Sequence, residues 1–151
     1  MSIDLTGKFL YATYGFSNEL AAFSIAATSG MLTAVSGSPF VGSASTILTQ
    51  IALDASGKFL IGDLEFSDLT SGVRNCLDVL SIDSGTGALT LASGSPFAPA
   101  AVFCEFVAVD PSEPLVYVGA ARGIQAGPGV PPATVVALSV DPTTGALTQV
   151  G

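Results

Sequence analysis

The chain has 151 residues, 49% of them hydrophobic and 11% charged, a balance that excludes intrinsic disorder and allows a packed core. Twelve acidic residues against four basic ones leave a formal net charge of −8, which argues against nucleic acid and anionic membrane surfaces as partners. Histidine is absent, so histidine-dependent triads and histidine metal sites are excluded.

The N-terminus, Met1-Ser2-Ile3-Asp4, lacks the basic region and apolar core of a signal peptide. Two expectations stay open: a cytosolic protein, or a leader or upstream region outside this chain. Residues 20–53 carry no charge, yet Ser29-Gly30, Gly37-Ser38-Pro39 and Gly42-Ser43 break the run. A spanning helix needs about 20 predominantly apolar residues in sequence, so no membrane span is expected.

Four short elements recur in the same order. Asp4-Leu5-Thr6-Gly7-Lys8-Phe9-Leu10 returns as Asp54-Ala55-Ser56-Gly57-Lys58-Phe59-Leu60, and more loosely as Asp110-Pro111-Ser112-Glu113-Pro114-Leu115-Val116. Phe23-Ser24-Ile25 matches Leu80-Ser81-Ile82 and Leu138-Ser139-Val140. Gly30-Met31-Leu32-Thr33 matches Gly87-Ala88-Leu89-Thr90 and Gly145-Ala146-Leu147-Thr148. Ser36-Gly37-Ser38-Pro39-Phe40 recurs as Ser93-Gly94-Ser95-Pro96-Phe97.

Each repeat reads as four short strands, A to D, rich in β-branched and apolar residues and bounded by turn residues. In the second repeat they fall at about Leu48–Leu53, Phe59–Gly62, Leu77–Ile82 and Leu89–Ala92. Asp54-Ala55-Ser56-Gly57 and Asp83-Ser84-Gly85-Thr86-Gly87 have the Asp-first, Gly-last chemistry of tight turns. Strand C is apolar at most positions, which predicts cover on both sheet faces. The fold class expected is all-β: about three four-stranded antiparallel β-propeller blades, forming a partial ring. The blades are expected at 1–40 (incomplete, with Ser2-Ile3-Asp4 as a stub of strand A), 41–97 and 98–151. Closed propellers have four to eight blades. Identical chains could therefore close a ring, two giving six blades, or the chain is a piece of a longer protein.

At these repeats the sequence resembles the lactonase-type seven-bladed β-propeller family, which includes bacterial 6-phosphogluconolactonases. The residues that carry the resemblance are Asp54–Leu60, Phe9–Thr13, Ser81–Thr90 and Gly94–Phe97. It implies a propeller of which about three of seven blades are present. The function expected first is a non-catalytic binding or scaffold segment that presents variable loops on one face. The alternatives are sugar-lactone hydrolysis, which the resemblance implies, at a site completed by missing blades or a second chain, and a self-assembling structural segment.

Alternating strand direction places the B–C and D–A connections at one end of the blades and the A–B and C–D turns at the other. From strand B to the serine of strand C the repeats span 15, 22 and 24 residues (Phe9 to Ser24, Phe59 to Ser81, Leu115 to Ser139). Length variation therefore sits in the B–C loops, where scaffolds tend to carry binding function. The second loop holds Asp63, Glu65, Asp68 and Arg74, and the third holds Arg122. The arginines are suited to bidentate grip on an anionic or sugar-like small molecule, and the acids to sugar hydroxyls or, equally, to a solvated loop. Glu105, in strand A of the third repeat, is a candidate general base. Tyr11, Tyr14 and Phe16 read as blade packing. No cofactor or metal is expected. Cys76 and Cys104 both fall near the B–C end, and a bridge between them would close a loop of about 28 residues, worth roughly 3–4 kcal/mol. Such a bridge implies an oxidising, extracytoplasmic compartment.

Overall fold

A computed structural model of the chain describes residues 1–14, 17–43, 47–65, 77–98, 104–120 and 134–150, with the backbone alone for residues 65, 105, 120 and 134. Among these residues there is no helix. The described residues form thirteen strands in three antiparallel sheets.

Sheet 1 contains β1 (Ser2–Ile3), β2 (Phe9–Thr13), β3 (Glu19–Ile25) and β4 (Leu32–Ala34), with β5 (Phe40–Val41) also paired to β3. Sheet 2 contains β6 (Ile47–Leu53), β7 (Phe59–Glu65), β8 (Leu77–Ile82) and β9 (Leu89–Leu91). Sheet 3 contains β10 (Cys104–Val109), β11 (Leu115–Ala120), β12 (Thr134–Val140) and β13 (Leu147–Gln149). In each sheet the first four strands lie side by side in chain order. These are propeller blades, as the repeats predict. Contacts between sheets run through the first strands, β6 with β1 and β2, and β10 with β6 and β7.

The Asp-first turns form because the carboxylate gathers the amides of its own loop. Asp4 accepts hydrogen bonds from the amides of Thr6 (3.1 Å), Lys8 (2.7 Å) and Phe9 (2.7 Å). Asp54 accepts from Ser56 N (3.0 Å) and Phe59 N (2.7 Å). The third turn differs for a covalent reason: Glu113-Pro114 replaces Gly-Lys, and proline has no amide to donate. Asp110 there bonds Ser112 N (2.9 Å) and Glu113 N (3.1 Å), while Leu115 N turns to the Glu113 carbonyl (2.7 Å).

The Ser-Gly-Ser-Pro-Phe motif interrupts the fourth strand without ending its pairing. After β4 the ladder is interrupted, and Ser38 Oγ accepts the Ala22 amide (3.0 Å) before Phe40 resumes pairing with Leu20. Sheet 2 repeats this: Ser95 Oγ accepts from Val79 N (3.0 Å), and Phe97 pairs with Leu77. Val41 therefore still belongs to sheet 1, opposite Glu19 of β3.

The core is two interfaces between sheets. One joins Phe9, Tyr11, Leu20 and Ala22 of sheet 1 to Leu60, Leu80 and Leu89 of sheet 2. The other joins Phe59, Ile61, Leu77 and Val79 of sheet 2 to Val116, Leu138 and Val140 of sheet 3. Sheet 2 is covered on both faces, and Leu77 to Leu80 are all buried, which explains the near-continuous apolar strand C. Tyr11 packs in the core, whereas Tyr14 is exposed, contrary to the packing expected of it. Phe16 lies outside the described residues.

Candidate functional site at the B–C end of the blades

The candidate site is built where β6, β7, β8 and β10 begin or end. The second B strand runs past Gly62, where the sequence pattern ended it, to Glu65. Leu64 pairs with Leu48 and is buried, and Ile47 pairs with Glu65. The pairing of Leu64 with Leu48 and of Glu65 with Ile47 carries the ladder three residues further than the acids suggested. Asp63 and Glu65 thus belong to the end of a strand, not to a loop.

Both first strands that are described at this end carry a bulge. In β6, Leu48 faces Leu64 and Gln50 faces Asp63, leaving Thr49 as the extra residue. In β10, Cys104 faces Ala120 and Phe106 faces Gly119, leaving Glu105. Thr49 and Glu105 each stand four residues before the end of their strand, so the two bulges are repeat equivalents. Bulges re-aim a residue and often flank functional sites. The Thr49 hydroxyl donates to the Asp63 carboxylate (3.0 Å), and the Thr13 hydroxyl donates to the Thr49 carbonyl (3.3 Å). The bulge thus ties sheet 1 to sheet 2.

Two carboxylates are buried here, on opposite faces of sheet 2. Asp63 faces Leu77 and Gln50, while Asp78 faces Gly62. One oxygen of Asp78 accepts the Ser43 amide (2.8 Å). A Cβ on Gly42 would lie 2.7 Å from that oxygen, so glycine permits the close approach. The other oxygen has no hydrogen-bond partner among the described residues. Sequence reading did not single out Asp78. The signal was available: the equivalent positions in the other repeats are Ala21 and Val136, both apolar.

Of the residues singled out from the sequence, Asp63 accepts a hydrogen bond from the β6 bulge at Thr49, and Glu105 is the extra residue of the equivalent bulge in β10. Glu65 and Glu105 are placed by backbone only, at the end of β7 and in the β10 bulge. Cys104 opens β10 and is buried. Asp68, Arg74, Cys76 and Arg122 lie outside the described residues. Among the described residues no group of three acids or cysteines is spaced to hold a metal ion, and no helix is long and apolar enough to cross a membrane.

The opposite end is a row of structural turns. Asp83 is held below the usual carboxylate range by the Thr86 amide, then the Thr86 hydroxyl and Gly85 amide. Asp141 is lowered by Thr144 N, Thr143 N and the Thr144 hydroxyl, and Asp110 by Ser112 and Glu113. At Asp4 partial burial pushes upward, but hydrogen bonds from Thr6, Phe9 and Lys8 outweigh it and the net shift is down. These acids are committed to their own loops.

The chain aligns over 99% of its length with a Bacteroides fragilis protein assigned as a 6-phosphogluconolactonase, at a TM-score of 0.74 and 18% identity. A Bacteroides uniformis protein with the same assignment gives 0.69 and 17%. A periplasmic gluconolactonase from Pseudomonas aeruginosa gives 0.67 and 18%. The fold is that of lactonase-type propeller blades. The chain spans 36%, 39% and 38% of those three structures, respectively. No protein-family profile and no curated protein matches the sequence.

Proposed function

We propose that the chain contributes to a sugar-lactone hydrolase site at the B–C end of a lactonase-type propeller, completed by further blades or a second chain. The observation that supports this reading is the alignment of 99% of the chain, at TM-score 0.74, with a protein assigned to that activity. In the proposed step Glu105 takes a proton from water as its oxygen bonds to the lactone carbonyl carbon. The ring C–O bond then breaks, the leaving alkoxide is protonated, and a hydroxy acid results. Arg74 and Arg122 would grip a carboxylate or phosphate on the sugar. Glu65 and Asp68 would accept sugar hydroxyls, and buried Asp63 would hold the strand-A bulge in shape.

The test is proton release from glucono-1,5-lactone and its 6-phosphate between about pH 5 and 8, above the spontaneous rate. Glu105→Gln is expected to lower kcat by roughly 10²-fold or more, and Arg74→Ala or Arg122→Ala to raise KM for the phosphorylated substrate. No rate above background defeats the hydrolase. Binding of 6-phosphogluconate in the same preparation would then favour the second reading, a non-catalytic ligand-presenting module. That reading draws on the sequence, which has no histidine and no nucleophile constellation.

The proposal extends to a Cys76–Cys104 bridge and an extracytoplasmic location. Cys104 is buried and is not a free thiol, and one of the similar structures is a periplasmic protein. Alkylation of the unfolded chain before and after reduction checks it. Two thiols labelled only after reduction support the bridge, and two labelled before reduction refute it.

A further inference from the structure

The interface between sheets is made twice inside the chain, and its two halves recur, uncovered, on the outer sheets. In sheet 2 the face toward sheet 1 is Leu53, Leu60, Leu80 and Leu89. Their repeat equivalents in sheet 1 are Ile3, Leu10, Phe23 and Leu32, which share one face by register. Ile3 is 55% exposed and Leu32 45%, whereas Leu60 is fully buried. On the other side, Leu115, Tyr117 and Val135 are the equivalents of Phe59, Ile61 and Leu77. Val135 is 72% exposed, and Phe106 beside it on the same face 55%.

We propose that copies of this chain associate head to tail, with the outer face of sheet 3 on one copy seating on the outer face of sheet 1 on the next. The two faces match because they continue a contact already made twice. At each internal interface a ring from strand B presses on the positive-φ glycine of the following sheet's C–D turn. A Cβ on Gly87 would be driven into the Phe9 ring, and one on Gly145 would lie 2.8 Å from the Phe59 ring. Gly30 has the same conformation, φ +69, with nothing within 4 Å. Leu115 stands at the position of Phe9 and Phe59 and is the side chain to enter that space. None of the face residues named here is charged, so burying them brings an apolar gain without a charge-desolvation cost. Such a contact is heterologous and propagates until it closes. Two copies give six sheets, within the range of closed propellers. The proposal does not depend on lactone hydrolysis.

The test is light scattering on the purified chain up to about 100 µM, a range in which a micromolar contact is populated. The wild-type chain is expected as a discrete oligomer. Leu32→Glu and Val135→Glu each remove one face at an exposed position and are expected to weaken association by at least 10-fold. An equimolar mixture of the two variants retains one intact face of each kind, and is expected to form a two-chain species and nothing larger. Circular dichroism checks that both variants keep the all-β fold. A wild-type monomer throughout the range, or an assembly whose mass neither variant changes, overturns the proposal. A mixture in which the variants ignore each other does so as well.

Discussion

Gly87 and Gly30 occupy the same place in successive repeats, with φ +74 and +69, yet one is pressed against an aromatic ring and the other faces open space. The comparison separates two demands that the repeat makes of one residue. The first is local: a left-handed backbone that closes the turn, which any Cβ strains. The second is tertiary: room for the strand-B side chain of the preceding sheet. The same contrast runs through whole sheets. Sheet 2 buries both faces, whereas sheets 1 and 3 each bury one.

The sharpest way to test this contrast is at the ring itself, with the chain held dilute enough to be monomeric. Phe59→Ala empties a position packed between sheets 2 and 3 and is expected to cost about 3–5 kcal/mol in urea unfolding. Leu115→Ala, its equivalent on the outer face, is expected to cost about 1 kcal/mol, because a half-exposed side chain leaves little cavity. Equal losses would contradict the assignment of sheet 3's outer face as unpartnered.

The glycines come next. Gly30→Ala should cost about 1–2 kcal/mol from backbone strain alone. Gly87→Ala adds overpacking against Phe9 to the same strain, for a total of about 3 kcal/mol or more. If the two melted alike, the turn and not the neighbouring sheet would set the requirement for glycine.

The last contrast concerns Tyr11, which stands where sheet 2 has Ile61. Its hydroxyl is buried with no hydrogen-bond partner among the described residues. Burial, with the Asp4 and Asp83 carboxylates adding to it, pushes its pKa up to about 12. The folded chain therefore keeps this proton where the unfolded chain, near 10, releases it. Stability is unaffected below pH 10 and falls as pH rises from about 10 toward 12, by roughly 2–3 kcal/mol. Tyr11→Phe should flatten that alkaline loss relative to wild type. At neutral pH it should also raise stability by about 1 kcal/mol, because an orphaned hydroxyl is removed. A destabilised Tyr11→Phe would show that the hydroxyl has a partner.

Much of the fold is legible in the chain because its signals are local. Asp54 and Asp4 stand at the start of their turns because a short carboxylate reaches amides two to five residues on. The order of strands follows from those turns. The end of the second B strand was less legible, because Asp63 and Glu65 look like loop residues until Leu48 and Ile47 are seen opposite Leu64 and Glu65. The bulges at Thr49 and Glu105 were not legible at all, since an extra residue is defined only against a partner strand. Asp78 was overlooked for a different reason: an acid within an apolar strand shows as an exception only beside Ala21 and Val136.

The all-β class, the turn chemistry and the strand order are legible in the chain because they depend on residues within a few positions of one another, and the repeat because those local patterns recur. Which faces are covered, which glycines are packed, and where the bulges re-aim the first strands emerge on folding alone. Those properties arise between sheets, where residues about fifty positions apart meet, and no local pattern records what lies across the gap.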